Sequence, residues 1–233
     1  MAAKILLLED ERAIRSFIRI NLKRKGFEVI EASTGEEALQ LFRENKDIIV
    51  AVLDVMLPGI SGFEVCKGIR SSDSEIGIIM LTAKSQEEDK IEGFDTGADD
   101  YVTKPFSPSE LMARVNALLR RVGSREKKAA SKLESGPFVL DMDERRLFKA
   151  GEEIEITPTE FSMIELFMKS DGKNISKDHI LDEIWGKNYI GDMKIVSVNI
   201  RRLRSKIEDE PSQPRYIETL WGYGYRWCEG EQA

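Results

Sequence analysis

The sequence predicts two domains: an α/β domain built on a five-stranded parallel sheet, then an α+β domain of helices and antiparallel hairpins. Three observations predict it. Over the first half, five short apolar runs alternate with stretches whose apolar residues recur every three or four positions. The tract GSREKKAASKLESG, which starts at Gly123, is polar, rich in small residues and without apolar periodicity. Beyond it come short strand-like runs, three helical stretches and a glycine-turned hairpin.

Strand–helix alternation repeated five times implies parallel strands covered by helices on both faces. The strands are expected at KILLL, FEVIEA, DIIVAVL, IGIIML and DDYVTK. IIVAVL and IIML are unbroken apolar runs, as strands buried on both faces require. The helices are expected at RAIRSFIRINLKRK, GEEALQLFREN, GFEVCKGIRSS, SQEEDKIEGFDTG and SPSELMARVNALLRRV. Ile14, Phe17, Ile18 and Leu22 show the spacing. Residues 1–122 are assigned to the first domain, 123–135 to a linker and 136–233 to the second domain. In the second, PFVLDMDERRLFKAGEEIEIT reads as short antiparallel strands. TPTEFSMIELFMKS, SKDHILDEIWG and MKIVSVNIRRLRSKIE read as helices, and RYIETLWGYGYRWCE as an aromatic-rich hairpin.

Composition bounds the function. A chain of 233 residues accommodates two domains of roughly 100 to 120. Its apolar runs fall well below the roughly 20 residues of a membrane helix, and the apolar core of MAAKILLLEDE is too short for a signal peptide. A cytoplasmic protein with no membrane partner is expected. Cys66 and Cys228 lie in different halves and form no disulfide or metal framework. The single histidine, His179, is expected in a structural or surface role and not a catalytic one, and zinc chemistry is not expected. Net charge is −7, with −4 before Gly123 and −3 from there on, so the whole chain does not advertise a polyanion partner. Lys194 to Lys206, however, holds five basic residues and no acidic one. Phosphate contact is local, and one basic stripe suffices for it.

Ligands of a doubly wound sheet gather at the carboxyl ends of its strands. Strand 1 ends in Glu9 and Asp10, strand 3 in Asp54, strand 4 in Thr82 and strand 5 in Lys104 before Pro105. Carboxylates crowded together need a cation, and hard oxygen donors suit Mg²⁺. Asp54 would then be a nucleophile beside a metal, with Lys104 and Thr82 available to phosphoryl oxygens. The same logic accounts for a carboxylate at the end of an apolar strand, where an uncompensated charge would be costly.

The stretches LLLEDE, VLDVMLPGISG, MLTA and GADDYVTKPFSPSELMARVNALLRR together resemble the receiver domain of bacterial two-component response regulators, over about residues 4–121. The resemblance implies a flavodoxin-like (βα)5 fold and phosphorylation of Asp54 by a sensor histidine kinase. It implies Mg²⁺ held by Glu9, Asp10, Asp54 and the backbone carbonyl of Met56. It also implies a switch in which Thr82 turns to the phosphoryl group and Tyr101 rotates inward, and a cis Lys104–Pro105 bond. Within this class the OmpR/PhoB subfamily makes intersubunit pairs that correspond to Lys90 with Glu110, Asp99 with Arg121 and Asp100 with Arg114. Ile91, Phe94 and Ala113 would form the apolar centre of that two-fold face.

On MKIVSVNIRRLRSKIE, Val196, Ile200, Leu203 and Ile207 fall on one stripe. Lys194, Val198, Arg201, Arg202 and Ser205 fall opposite, with Ser197 and Arg204 on one flank. A preceding short helix and a following hairpin make a winged helix-turn-helix, whose last helix enters the major groove. Residues 136–228 resemble the output domain of the same subfamily through ITPTEFSMIELF, VNIRRLRSKIE and ETLWGYGYRW. That implies DNA contact by Lys194, Ser197, Val198, Asn199, Arg201, Arg202 and Arg204, with Asn199 suited to adenine and Val198 to a thymine methyl. Many relatives carry Asp and His at positions 197 and 199, and an arginine at the wing tip where Trp221 stands. The alternation Trp221, Tyr223, Tyr225, Trp227 is expected to form a packed strand face, and Gly222 and Gly224 a tight turn.

The expected function is a DNA-binding response regulator that dimerises on phosphorylation, binds tandem half-sites in double-stranded DNA and works with RNA polymerase. Two other classes were weighed. An aspartate-nucleophile phosphohydrolase wants a second aspartate two residues after the nucleophile, where this chain has Met56; an enzyme is therefore not expected. A phosphate-independent DNA-binding or scaffold protein would leave the acidic pocket without a role.

Overall fold

The computed structural model describes residues 2–83, 96–122, 132–187, 189 and 191–229. The helix expected at SQEEDKIEGFDTG lies mostly outside them. The chain divides into two units, Met1–Gly123 and Ser124–Ala233.

In the first unit, strands β1 (Lys4–Leu8), β2 (Glu28–Ala32), β3 (Ile48–Asp54), β4 (Gly77–Ala83) and β5 (Asp100–Lys104) form one sheet of order β2-β1-β3-β4-β5. Each neighbouring pair is parallel. Helices α1 (Arg12–Arg24), α2 (Gly35–Glu44), α3 (Gly62–Arg70) and α4 (Pro108–Val122) cover it. Successive strand residues feed opposite core layers. Leu6, Leu8, Ala51, Leu53, Ile78 and Met80 pack with Ala38, Phe42, Val65 and Ile69 of α2 and α3. Ile5, Leu7, Val50, Val52, Ile79 and Leu81 pack with Ile18, Leu22, Val115 and Leu118 of α1 and α4. The strand order reverses between β1 and β3, which opens a crevice at their carboxyl ends.

The second unit starts with an antiparallel sheet of β6 (Lys132–Ser135), β7 (Phe138–Asp141), β8 (Arg146–Lys149) and β9 (Glu152–Ile154). Strand β6 takes up the last four residues assigned to the linker. KLES alternates too weakly to announce a strand and becomes one by pairing with FVLD of β7. Helices α5 (Pro158–Met168), α6 (Lys177–Trp185) and α7 (Lys194–Ile207) follow. A capping box on Thr157 and Glu160 starts α5, and the Ser176 side chain caps α6. The wing is β11 (Ile217–Leu220) and β12 (Gly224–Trp227), with β10 (Asn174–Ser176) on the other edge of β12.

Strand β10 is an addition to the expected elements; three residues are too few to show a period. Its approach explains Gly224, where a Cβ would lie 2.0 Å from the Ile175 carbonyl oxygen. Gly222 alone needs turn freedom, at φ +74°. The aromatic face also starts later than expected. Tyr225 and Trp227 join the core, whereas Trp221 and Tyr223 stand exposed in the turn. His179 is exposed.

Candidate functional site

The crevice of the first unit holds the acidic residues. Glu9 follows β1 and is fully buried, Asp54 ends β3 and is nearly so, and Asp10 is exposed. One carboxylate oxygen from each lies within 4.8 Å of the others. Lys104, at the end of β5, donates from Nζ to Glu9 Oε2 at 2.7 Å and to Asp54 Oδ2 at 2.8 Å. Its peptide bond to Pro105 is cis.

Burial, more than charge crowding, perturbs the group. Burial pushes the Glu9 carboxyl from 4.5 up to about 7, the Lys104 hydrogen bond opposing it and the neighbouring Asp54 charge adding to it. Burial by itself would lower the Lys104 ammonium, but hydrogen bonds to Asp54 and Glu9 outweigh it and raise its pKa. Three carboxylates that converge as hard oxygen donors fit a divalent cation such as Mg²⁺.

The backbone around Asp54 is held tightly. The Val55 N–H donates to the Leu81 carbonyl at 2.9 Å, and the Met56 N–H to Asp54 Oδ1 at 3.3 Å. Gly62 caps the turn closely enough that a Cβ would lie 1.9 Å from the Asp54 carbonyl oxygen, so only glycine fits. Arg15 of α1, absent from the sequence-based site, donates from Nη1 to the Glu9 and Asp10 carbonyls at 2.6 and 3.1 Å. It pins the loop that carries both carboxylates, and the i, i+5 spacing from Asp10 on a helix start was the available signal.

Thr82 is buried on β4, in register with Thr103 and one residue before the Ala83–Lys104 pair. Its hydroxyl faces the Ala83 carbonyl at 3.5 Å. Tyr101 is half-buried against the core layer under α2 and α3.

Among the expected dimer residues, Lys90, Ile91 and Phe94 lie outside the described residues. Ala113 is exposed and Glu110 half-buried, whereas Asp99, Asp100, Arg114 and Arg121 are buried in the single chain. Asp99 already has partners there: Arg70 Nη2 at 2.5 Å and the Ile78 N–H at 2.8 Å. Arg114 lies 3.6 Å from Asp100 and 3.8 Å from Glu110.

In the second unit, α7 presents Lys194 and Arg201 to solvent and leaves Ser197 and Val198 half-buried. The Tyr225 hydroxyl donates to Ser197 Oγ at 3.3 Å. Two expected DNA contacts point inward instead. Asn199 is 1% exposed, donates to the Ile195 carbonyl at 2.8 Å and accepts from Arg202 Nη2 at 2.6 Å; Arg202 is 7% exposed. Asn199 lies three residues after Val196 and four before Leu203, so the apolar stripe already included its position. Arg204 is half-buried and bonded to the wing. Trp221, by contrast, is 94% exposed at the wing tip.

Residues 5–116 match the response regulator receiver domain family. Residues 151–227 match the C-terminal domain of transcriptional regulatory proteins. Among solved structures, DrrB of Thermotoga maritima, described as an OmpR/PhoB homologue, is 35% identical. The match covers 97% of this chain and 99% of DrrB, with a TM-score of 0.51. Two mutants of RitR are each 26% identical, with 98% of this chain and 100% of theirs covered and TM-scores of 0.77 and 0.78.

Proposed function

Because this chain belongs to the OmpR/PhoB family of response regulators, we propose that it is a DNA-binding transcription regulator switched by phosphorylation of Asp54. The observation that carries the reading is the Lys104 ammonium shared between Glu9 and Asp54 at the mouth of the sheet. A sensor histidine kinase is the donor class. Transfer forms an O–P bond on an Asp54 carboxylate oxygen and breaks the P–N bond of a phosphohistidine, whose imidazole leaves neutral after taking up a proton. Asp54 is aimed by the Met56 N–H and by the turn closed at Gly62. Lys104 offers its charge to an incoming phosphoryl oxygen, and Thr82 a hydroxyl to another.

Glu9, Asp10 and Asp54, with the Met56 carbonyl, would hold Mg²⁺. When bound, the ion neutralises charge on the phosphoryl oxygens. A phosphoryl group biases the receiver only through contacts that differ between its two states, and Thr82 and Tyr101 are the residues we assign to that difference. The phosphorylated state then favours a dimer through the α4 face, with Asp99, Asp100, Glu110, Ala113, Arg114 and Arg121. The dimer sets two recognition helices on tandem half-sites of double-stranded DNA and engages RNA polymerase. Lys194 and Arg201 suit phosphate or guanine, Ser197 and Val198 base edges, and Trp221 the flank of the duplex. Among the described residues, no helix is long and apolar enough to cross a membrane.

The test is sedimentation of wild type and Asp54→Ala with Mg²⁺, before and after a small phosphodonor or beryllofluoride. A monomer-to-dimer shift in wild type alone supports the switch. No shift in either protein, or a shift in both, removes Asp54 as the control point.

A further inference from the structure

Arg204 and Glu208 stand one turn apart at the end of α7, and both grip Ile217, the first residue of wing strand β11. Arg204 donates from Nε to the Ile217 carbonyl at 3.0 Å, and its Nη2 bonds the same oxygen and Thr219 Oγ1, the latter at 2.9 Å. Glu208, 7% exposed, accepts from the Ile217 N–H at 2.9 Å. It also accepts from the Tyr216 N–H at 3.0 and 3.2 Å and from the Arg215 N–H at 2.7 Å. Both backbone polar groups of a buried residue are thus held by side chains of one helix. A phosphate ligand turns its guanidinium fork outward; two of the three Arg204 nitrogens are committed inward.

We propose that Arg204 is a positioning residue and not a DNA phosphate ligand: with Glu208 it locks the wing to the recognition helix, so both elements meet a duplex at one fixed spacing. The inference rests on the DNA-binding reading above and reassigns one residue within it. Its physical content is preorganisation. A wing fixed before binding loses less conformational freedom on the duplex than one that must be ordered there.

The experiment uses the full chain with Mg²⁺ and beryllofluoride, on a duplex that wild type enriches from a random-sequence library and on a scrambled duplex, over a range of salt. Arg204→Lys and Arg204→Met should both weaken binding to the enriched duplex about tenfold, the effect of losing well-placed hydrogen bonds. Both should leave scrambled-duplex affinity and the slope of log affinity against log salt as in wild type. Glu208→Gln should do the same. Combined with Arg204→Met it should cost little more than either change alone, because both act through Ile217. Should Glu208→Gln fail to fold, the two Arg204 variants decide.

A different result overturns the inference. If Arg204→Lys keeps wild-type affinity while Arg204→Met lowers the salt slope by about one counterion, Arg204 is a phosphate contact. If wild type enriches no duplex at all, the DNA-binding reading itself has failed, and the inference with it.

Discussion

Lys104 Nζ lies 2.7 Å from Glu9 Oε2 and 2.8 Å from Asp54 Oδ2, so one ammonium joins two buried carboxylates. It performs for the pocket part of what a divalent cation would do there, and such a cation, once bound, would compete with it for the same oxygens. Removing one partner of a fully buried pair costs about 3–5 kcal/mol, and Lys104 is 20% exposed, so a smaller loss is expected. Lys104→Met should lower unfolding free energy by about 2 kcal/mol in the presence of a chelator and by clearly less with millimolar Mg²⁺. Urea melts in the two buffers measure it. An equal loss in both would mean that Lys104 and the cation do not share these carboxylates.

Asp100 gives the protein a pH dependence of known sign. Burial pushes its carboxyl from 3.8 up to about 6, against the pull of Arg114 and Arg121. Between those two values the folded chain keeps the proton and the unfolded chain releases it. The unfolded state therefore binds fewer protons, and stability falls as pH rises through the window. Asp100→Asn does not titrate, and Asn can still accept from the Tyr101 N–H that Asp100 Oδ1 holds at 2.8 Å. Its stability relative to wild type should rise across the window by on the order of 3 kcal/mol and then level off. Denaturant melts at a series of pH values test this. A difference that stays flat with pH would show that Asp100 is not the titrating group.

Trp221 separates contact from charge. At 94% exposure it packs on nothing, so Trp221→Ala should change stability by no more than about 0.5 kcal/mol. Its duplex affinity should still fall, with an unchanged salt slope, because an indole neutralises no phosphate. Trp221→Arg should recover affinity and steepen the slope by about one counterion. Binding isotherms at several salt concentrations read both, and wild-type affinity in Trp221→Ala would remove the wing tip from the interface.

The acidic pocket was legible because each of its members ends or follows an apolar run. Glu9 and Asp54 are polar residues next to uninterrupted apolar runs, Lys104 closes the mixed strand DYVTK, and a parallel sheet sends all such ends to one edge. Helix α7 was half legible. Period 3.6 found the Val196–Ile200–Leu203–Ile207 stripe, but α7 is covered over a wider arc than that stripe. Ile195, Asn199 and Arg202 turn inward beside it, where Asn199 bonds its own helix and Arg202. Strands β6 and β10 escaped because a polar or three-residue segment carries no period. Each becomes a strand only by pairing with β7 or β12.

By itself, the sequence determined the order of the elements that carry a period, the division into a parallel α/β unit and a winged helix-turn-helix unit, and the residues that meet at the strand ends. These depend on local periodicity and chain order, which any reader of the residues can count. Only the tertiary structure decided that Lys104 bridges Glu9 and Asp54, that Asp99 is held by Arg70, and that Arg204 and Glu208 face the wing. The reason is physical. A charged side chain chooses among partners far apart in sequence, and the choice depends on which groups burial has already deprived of water.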